Sequence, residues 1–119
     1  MGRKAEGDYA TVRRELRARR QSNYDSPCFH AQQTAEKYLK AFLQEHGAAF
    51  PKTHKLIELL ELCRHIDASF EFQRSLLVLL DQYAVNYRYP GESADKAEAQ
   101  QAFVAVKTFR DFARAKLGI

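Results

Sequence analysis

The stretch SPCFHAQQTAEKYLKAFLQEHG, residues 26–47, constrains the fold more than any other part of the chain. Ser26 offers a side-chain oxygen to the unpaired amides of a first helical turn, Pro27 suits a position where no amide is needed, and Gly47 suits the left-handed residue that ends a helix. A helix over residues 26–47 is therefore predicted with both ends written in. At 3.6 residues per turn, Ala31, Ala35, Tyr38, Leu39, Phe42 and Leu43 fall on one arc, and Gln33, Lys37, Lys40 and Gln44 fall opposite. One side is expected to pack while the other is available to a partner. Glu36 lies at the edge of the apolar arc, between Gln32 and Lys40, so its charge calls for an intramolecular or ligand partner.

The remaining sequence extends the helical pattern in both directions. A first helix is predicted over residues 9–21, with Asp8 as its cap, Tyr9, Val12 and Leu16 as a narrow apolar stripe, and residues 1–8 as a mobile tail. Pro51 breaks the chain after Gly47, and a third helix is expected over 53–66, capped by Thr53 and covered by Leu56, Ile57, Leu59, Leu60, Cys63 and Ile66. Ser69 is the predicted cap of a fourth helix reaching residue 87, with Phe72, Leu76, Leu79, Leu80, Tyr83 and Tyr87 inward. Arg74, Asp81 and Arg88 recur every seven residues along its polar side. After Pro90 and Gly91 a last helix is predicted over 95–117, packed through Ala99, Ala102, Phe103, Val106, Phe109, Ala113 and Leu117.

Arg110 falls inside that last apolar arc, whereas Val104 and Phe112 fall outside it. The two stray hydrophobes suggest contact with another subunit, or else ordinary isolated exposure. With no alternating strand pattern and short links, the expected architecture is all-α: an antiparallel up-and-down bundle of about five helices with a four-helix core, in a single domain over residues 1–119.

Charge is unevenly spread along this chain. Residues 1–20 carry seven basic and three acidic side chains and so hold the whole net charge of +4, while the remainder carries twelve of each sign. A concentrated positive end attracts phosphates or an acidic partner, although a solvated helix face has the same composition. Cys28 and Cys63 lie inside predicted helices without a zinc-like spacing and read as reduced core residues. No apolar stretch is long enough to span a bilayer and the N-terminus is charged, so a cytoplasmic protein without membrane association is expected.

His30, His46, His54 and His65 form no recognisable metal-binding spacing, and neither a structural metal nor a cofactor is expected. His54 stands at a predicted helix start beside Lys52 and Lys55, where free amides and the positive end of the helix dipole can receive a phosphate; a local hydrogen bond is the plainer alternative. In Tyr87-Arg88-Tyr89-Pro90, an arginine fork could hold phosphate while a tyrosine ring stacks on a base. The same arginine could instead close a helix or pair with Asp81.

Three segments occur in order: Phe29-His30-Ala31-Gln32-Gln33-Thr34-Ala35-Glu36-Lys37 running into Tyr38-Leu39-Lys40-Ala41-Phe42-Leu43, then Lys52-Thr53-His54-Lys55-Leu56, and finally Arg88-Tyr89-Pro90. Together they resemble the HEPN family, the higher eukaryote and prokaryote nucleotide-binding domain. The resemblance covers about residues 9–117 and implies an antiparallel bundle that commonly dimerises. Many members of the family are metal-independent ribonucleases with an arginine followed four to six residues later by histidine. Others accompany a minimal nucleotidyltransferase, as toxin and antitoxin or as a two-protein nucleotide-binding system.

Here positions 92–94 are Glu92, Ser93 and Ala94, and no histidine follows Arg88. RNA cleavage of this kind needs a base for the 2′-hydroxyl and an acid for the leaving oxygen, and an arginine exchanges protons too reluctantly for either role. The resemblance and this departure together lead to an expected protein that binds a nucleotide or a nucleic-acid phosphate, with a separate minimal nucleotidyltransferase as partner, in a toxin–antitoxin type of pair, and as a homodimer. Gln33, Glu36, Lys37, Lys40, His54, Arg88 and Tyr89 are the expected site, with the lysines and Arg88 towards phosphates and Tyr89 for stacking. A metal-independent ribonuclease using Arg88 and His54 as an unusual catalytic pair, or a non-catalytic protein-interaction module, remain alternatives.

Overall fold

The structure is a computed structural model and describes residues 2–18, 24–84 and 94–119. Among these residues there is no strand. The elements are α1 (Gly2–Ala18), α2 (Asp25–Glu45), α3 (Leu56–Ile66), a 3₁₀ segment (Ala68–Gln73), α4 (Arg74–Asp81) and α5 (Lys96–Leu117). The expected all-α bundle is thus what the chain forms. Helix α2 is its axis and touches all four other helices.

The end of α2 follows the sequence closely. Gly47 takes φ +66°, which a side chain would resist, and this lets the Gly47 N–H reach the Gln44 carbonyl at 3.1 Å and the Ala48 N–H reach that of Leu43 at 2.9 Å. At the other end, the cap position is Tyr24, two residues before the expected Ser26, which lies inside the helix, and the first backbone bond runs from the Cys28 N–H to the Tyr24 carbonyl at 3.4 Å. Pro27 falls in the first turn, where its missing amide leaves no bond unmade.

The N-terminal prediction is corrected. Residues 2–8, expected as a tail, are the opening turns of α1, because Ala5, Tyr9 and Val12 recur at helical spacing and all three are buried. Alanine adds little to an apolar stripe read by side-chain size, so the stripe looked shorter than it is. Asp8 is consequently not a cap; it lies within the helix and pairs with His30 at 3.0 Å and with Lys37. The side chain of Leu16 lies outside what is described.

The start of α3 also differs. Thr53 caps nothing in α3, which begins at Leu56; its hydroxyl accepts from the Lys55 N–H at 3.1 Å. Leu56, Leu59, Leu60 and Cys63 are buried as expected, whereas Ile66 is 41 % exposed. Burial without a charged neighbour pushes the Cys63 thiol up to about 12.

The segment expected to be one fourth helix is divided. Residues 68–73 wind as a 3₁₀ segment, with the Asp67 side chain accepting from the Ser69 N–H at 3.0 Å, and among the described residues of this segment the α-helix covers 74–81, while Tyr87 lies outside them. Three residues per turn in place of 3.6 rotates the inward positions, so Phe70 is fully buried and Phe72, expected inside, is 83 % exposed. Phe70 meets Phe42 at 4.5 Å and Phe112 at 4.9 Å between ring centres. Full burial of such a ring contributes about 1.5–3 kcal/mol. This cluster also employs Phe112 within the chain, while Val104 stays 62 % exposed.

Helix α5 begins where predicted and is well capped. The Asp95 carboxylate accepts from the Glu98 N–H at 2.8 Å, and Glu98 returns a bond to the Asp95 N–H at 3.3 Å, a reciprocal cap. Arg110, placed by its spacing inside the apolar arc, meets Glu6 of α1 at 2.6 and 2.8 Å and lies 4.4 Å above the Tyr9 ring. The Arg110 guanidinium holds the Glu6 carboxyl below its usual range, with Tyr38 and Arg114 adding to the effect against the opposing cost of burial. The Tyr38 hydroxyl, buried and hydrogen-bonded to Glu6, is raised above its usual value.

Candidate functional site

Except at exposed Gln44, the polar side of α2 is not a solvated face. Gln32, Thr34 and Glu36 are buried, and the side chains of Lys37 and Lys40 are only 25 % and 17 % exposed. Each of the two lysines finds a carboxylate. Lys37 turns towards α1 and pairs with Asp8, which also holds His30. Lys40 reaches back one turn to Glu36 at 3.1 Å, the favourable order for an i,i+4 pair.

The partner demanded by the buried Glu36 comes from the loop before α3. Nδ1 of His54 lies 3.1 Å from one Glu36 carboxylate oxygen and 3.3 Å from the other. The backbone of the same residue is clamped as well, because the Gln32 side-chain amide donates to the His54 carbonyl at 2.7 Å. Gln33 then donates to the Gln32 side-chain oxygen at 2.8 Å. Gln33, Glu36, Lys40 and His54 therefore form one connected patch at the junction of α2 and the α3 start. Lys37 belongs to a neighbouring pair on the α1 side. Arg88 and Tyr89, with Tyr87 and Pro90, lie outside the described residues.

The amides that open α3 have an internal acceptor. Asp81, the last residue of α4, accepts from the Leu56 N–H at 2.8 Å and from the Ile57 N–H at 3.3 Å. A carboxylate thus occupies the positive end of the helix dipole, the place expected to offer its donors to a phosphate. Lys52, Lys55 and most of the His54 side chain remain exposed beside it.

Two contributors were missed in the sequence. Gln32 was legible in principle: it stands four residues after Cys28, three before Ala35 and seven before Leu39, so it shares their buried side. The role of Asp81 was not, since its regular spacing with Arg74 suggested an open polar ridge. Arg74 instead joins Glu61 and Glu71, bonding Glu71 at 2.8 Å.

The chemical repertoire of the patch is specific. Glu36 can hold the His54 ring in one orientation, the ring edge away from Glu36 faces solvent, and Lys40 brings a positive charge beside them. Among the described residues, no group of three His, Cys, Asp or Glu side chains is placed to hold a metal ion, and no helix is long and apolar enough to cross a membrane.

The fold and this patch define an α-helical domain with a polar seam along its central helix. The sequence matches the HEPN domain family over residues 2–116, nearly its whole length, and the chain belongs to that family. That membership suggests a nucleotide- or RNA-related function. No curated protein and no solved structure matches the chain.

Proposed function

We propose that the protein binds a nucleotide, or the phosphate of a nucleic acid, at the patch formed by Gln33, Glu36, Lys40 and His54, with Lys37 alongside and Arg88 and Tyr89 completing the site. The observation that carries this reading is the His54–Glu36–Lys40 constellation: a nearly buried carboxylate orients a mostly exposed imidazole and a lysine at one point of the surface. Such an arrangement fixes the ligand-facing ring of His54, in the loop before α3, against groups on a rigid helix, as selective binding requires. The lysines and Arg88 supply charge for phosphate, and Tyr89 supplies a stacking ring.

In this reading the chain acts as a homodimer with a separate minimal nucleotidyltransferase, in a toxin–antitoxin type of pair inside the cytoplasm. Exposed Val104, beside Leu76 and Leu79 in an open apolar groove of about 470 Å³ between α4 and α5, favours a subunit contact. Sedimentation measures the dimer. Calorimetric titration with AMP and ATP, alone and with the nucleotidyltransferase, measures the binding; no heat in either state would end the proposal.

One observation favours a second reading as a metal-independent ribonuclease. The Glu36–His54 pair is a carboxylate–imidazole dyad with an outward ring edge, the arrangement by which a histidine accepts and returns protons. RNA cleavage in the presence of a chelator, abolished in both His54→Ala and Arg88→Ala, is the expected result for that reading, and cleavage unaffected by either excludes it.

A further inference from the structure

The hydrogen-bond directions around His54 follow from groups that can bond in only one way. The Lys40 ammonium can only donate, so the Glu36 carboxylate oxygen 3.1 Å away accepts from it. A carboxylate cannot donate, so the hydrogen between the two residues sits on His54 Nδ1 and points at Glu36, and in a ring with a single hydrogen Nε2 is then the bare nitrogen. The His54 backbone carbonyl accepts only, so the Gln32 atom 2.7 Å away is its NH₂ group. The other end of that amide is then a carbonyl, and it accepts from the Gln33 NH₂ at 2.8 Å. Gln32 is 0 % exposed, so no solvent can relieve a reversed amide there. The Gln33 carbonyl is consequently the end turned away from Gln32.

Donors at the neighbouring helix start are likewise directed inward, since the Leu56 and Ile57 amides are used on Asp81. Apart from the lysine ammoniums, the polar ends left unused on this patch are two acceptors, Nε2 of His54 and Oε1 of Gln33. We propose that Nε2 of His54 and Oε1 of Gln33 receive a hydrogen-bond donor of the ligand, a ribose hydroxyl or an exocyclic base amine, while the anionic part of the ligand lies towards Lys40. This rests on the nucleotide-binding reading above and makes Gln32 a positioning residue, which acts by setting the polarity of Gln33 and holding the His54 backbone.

Long-range proton–nitrogen correlation spectra of the free protein at pH 8 read the ring directly, and the expected result is a protonated Nδ1 and a bare Nε2 on His54. Calorimetry then compares AMP with 2′-deoxy-AMP, 3′-deoxy-AMP and IMP. Loss of one matched hydrogen bond, about 1.4 kcal/mol, corresponds to about tenfold weaker binding. The ligand that shows it distinguishes ribose from base as the source of the donor. Gln33→Met removes the Oε1 acceptor together with the bond to Gln32, and should weaken AMP by at least a similar factor and remove most of that discrimination.

A neutral ring protonated at Nε2, equal affinities for all four ligands, or unchanged discrimination in Gln33→Met would each overturn the inference. Absence of AMP binding overturns the ligand assignment, absence of AMP and ATP binding both alone and with the nucleotidyltransferase overturns the nucleotide reading as well, and the spectra independently decide the wiring.

Discussion

Replacing Asp81 with alanine tests how the candidate site is held. The carboxylate ends α4 and accepts two amides at the start of α3, at 2.8 and 3.3 Å, one residue beyond His54 and its neighbour Lys55. Loss of a side-chain cap costs about 0.5–2 kcal/mol, and loss of a negative charge at a helix N-terminus about 0.3–1 kcal/mol. These terms overlap, since the same two bonds carry much of the charge effect, so the expected destabilisation is about 1–2 kcal/mol. With a urea dependence of about 2 kcal/mol per M, the midpoint of unfolding should fall by about 0.5–1 M at unchanged slope. Asp81→Asn keeps one acceptor and should lose roughly half as much. Hydrogen exchange localises the effect: the Leu56 and Ile57 amides should exchange faster in Asp81→Ala than the loss of global stability explains. Equal stability of Asp81→Ala and the unaltered protein, or unchanged protection at both amides, would refute the capping argument.

Three further outcomes follow from other parts of the fold. Glu6→Gln should lower stability at pH 7 by about 1–2 kcal/mol, since charge-assisted hydrogen bonds to Arg110 are lost; because the folded Glu6 carboxyl lies below its unfolded value near ~4.3, this difference is fully present above that pH and should disappear as pH falls through the folded value, which paired denaturation curves at several pH values would reveal. Phe70→Ala should cost about 3–5 kcal/mol by opening a cavity between Phe42 and Phe112, whereas Phe72→Ala should change stability by less than about 0.5 kcal/mol, a contrast measurable by thermal unfolding. Cys28 and Cys63 are both fully buried, so a thiol reagent should modify neither in the folded protein and both after unfolding; fast labelling of native Cys63 would contradict its burial and its thiol held at about 12.

Most of the helical framework was legible because its signals are local. The Gly47 stop, the Asp95 cap with Glu98 three residues on, and the apolar spacing of α5 each involve residues within a turn or two of one another. Errors arose where that local rule changed. The 3₁₀ winding after Asp67 put Phe70 inside in place of Phe72, and a small alanine at position 5 hid the first turns of α1. The candidate site was legible in part: Glu36 announced that it needed a partner, but not which one.

The sequence by itself determined an all-helical chain, the central place of residues 26–47 and the family to which the three motifs point, since periodicity and end signals are properties of neighbouring residues. Tertiary structure alone decided where the polar groups go. Glu36 meets His54 from the following loop, Asp81 serves a helix 25 residues earlier, and Glu6 meets Arg110 across 104 positions of sequence. A buried charge specifies that it must be compensated, because leaving it unpaired costs several kcal/mol or more. Which distant group compensates it depends on how the helices pack, and no spacing along the chain encodes that.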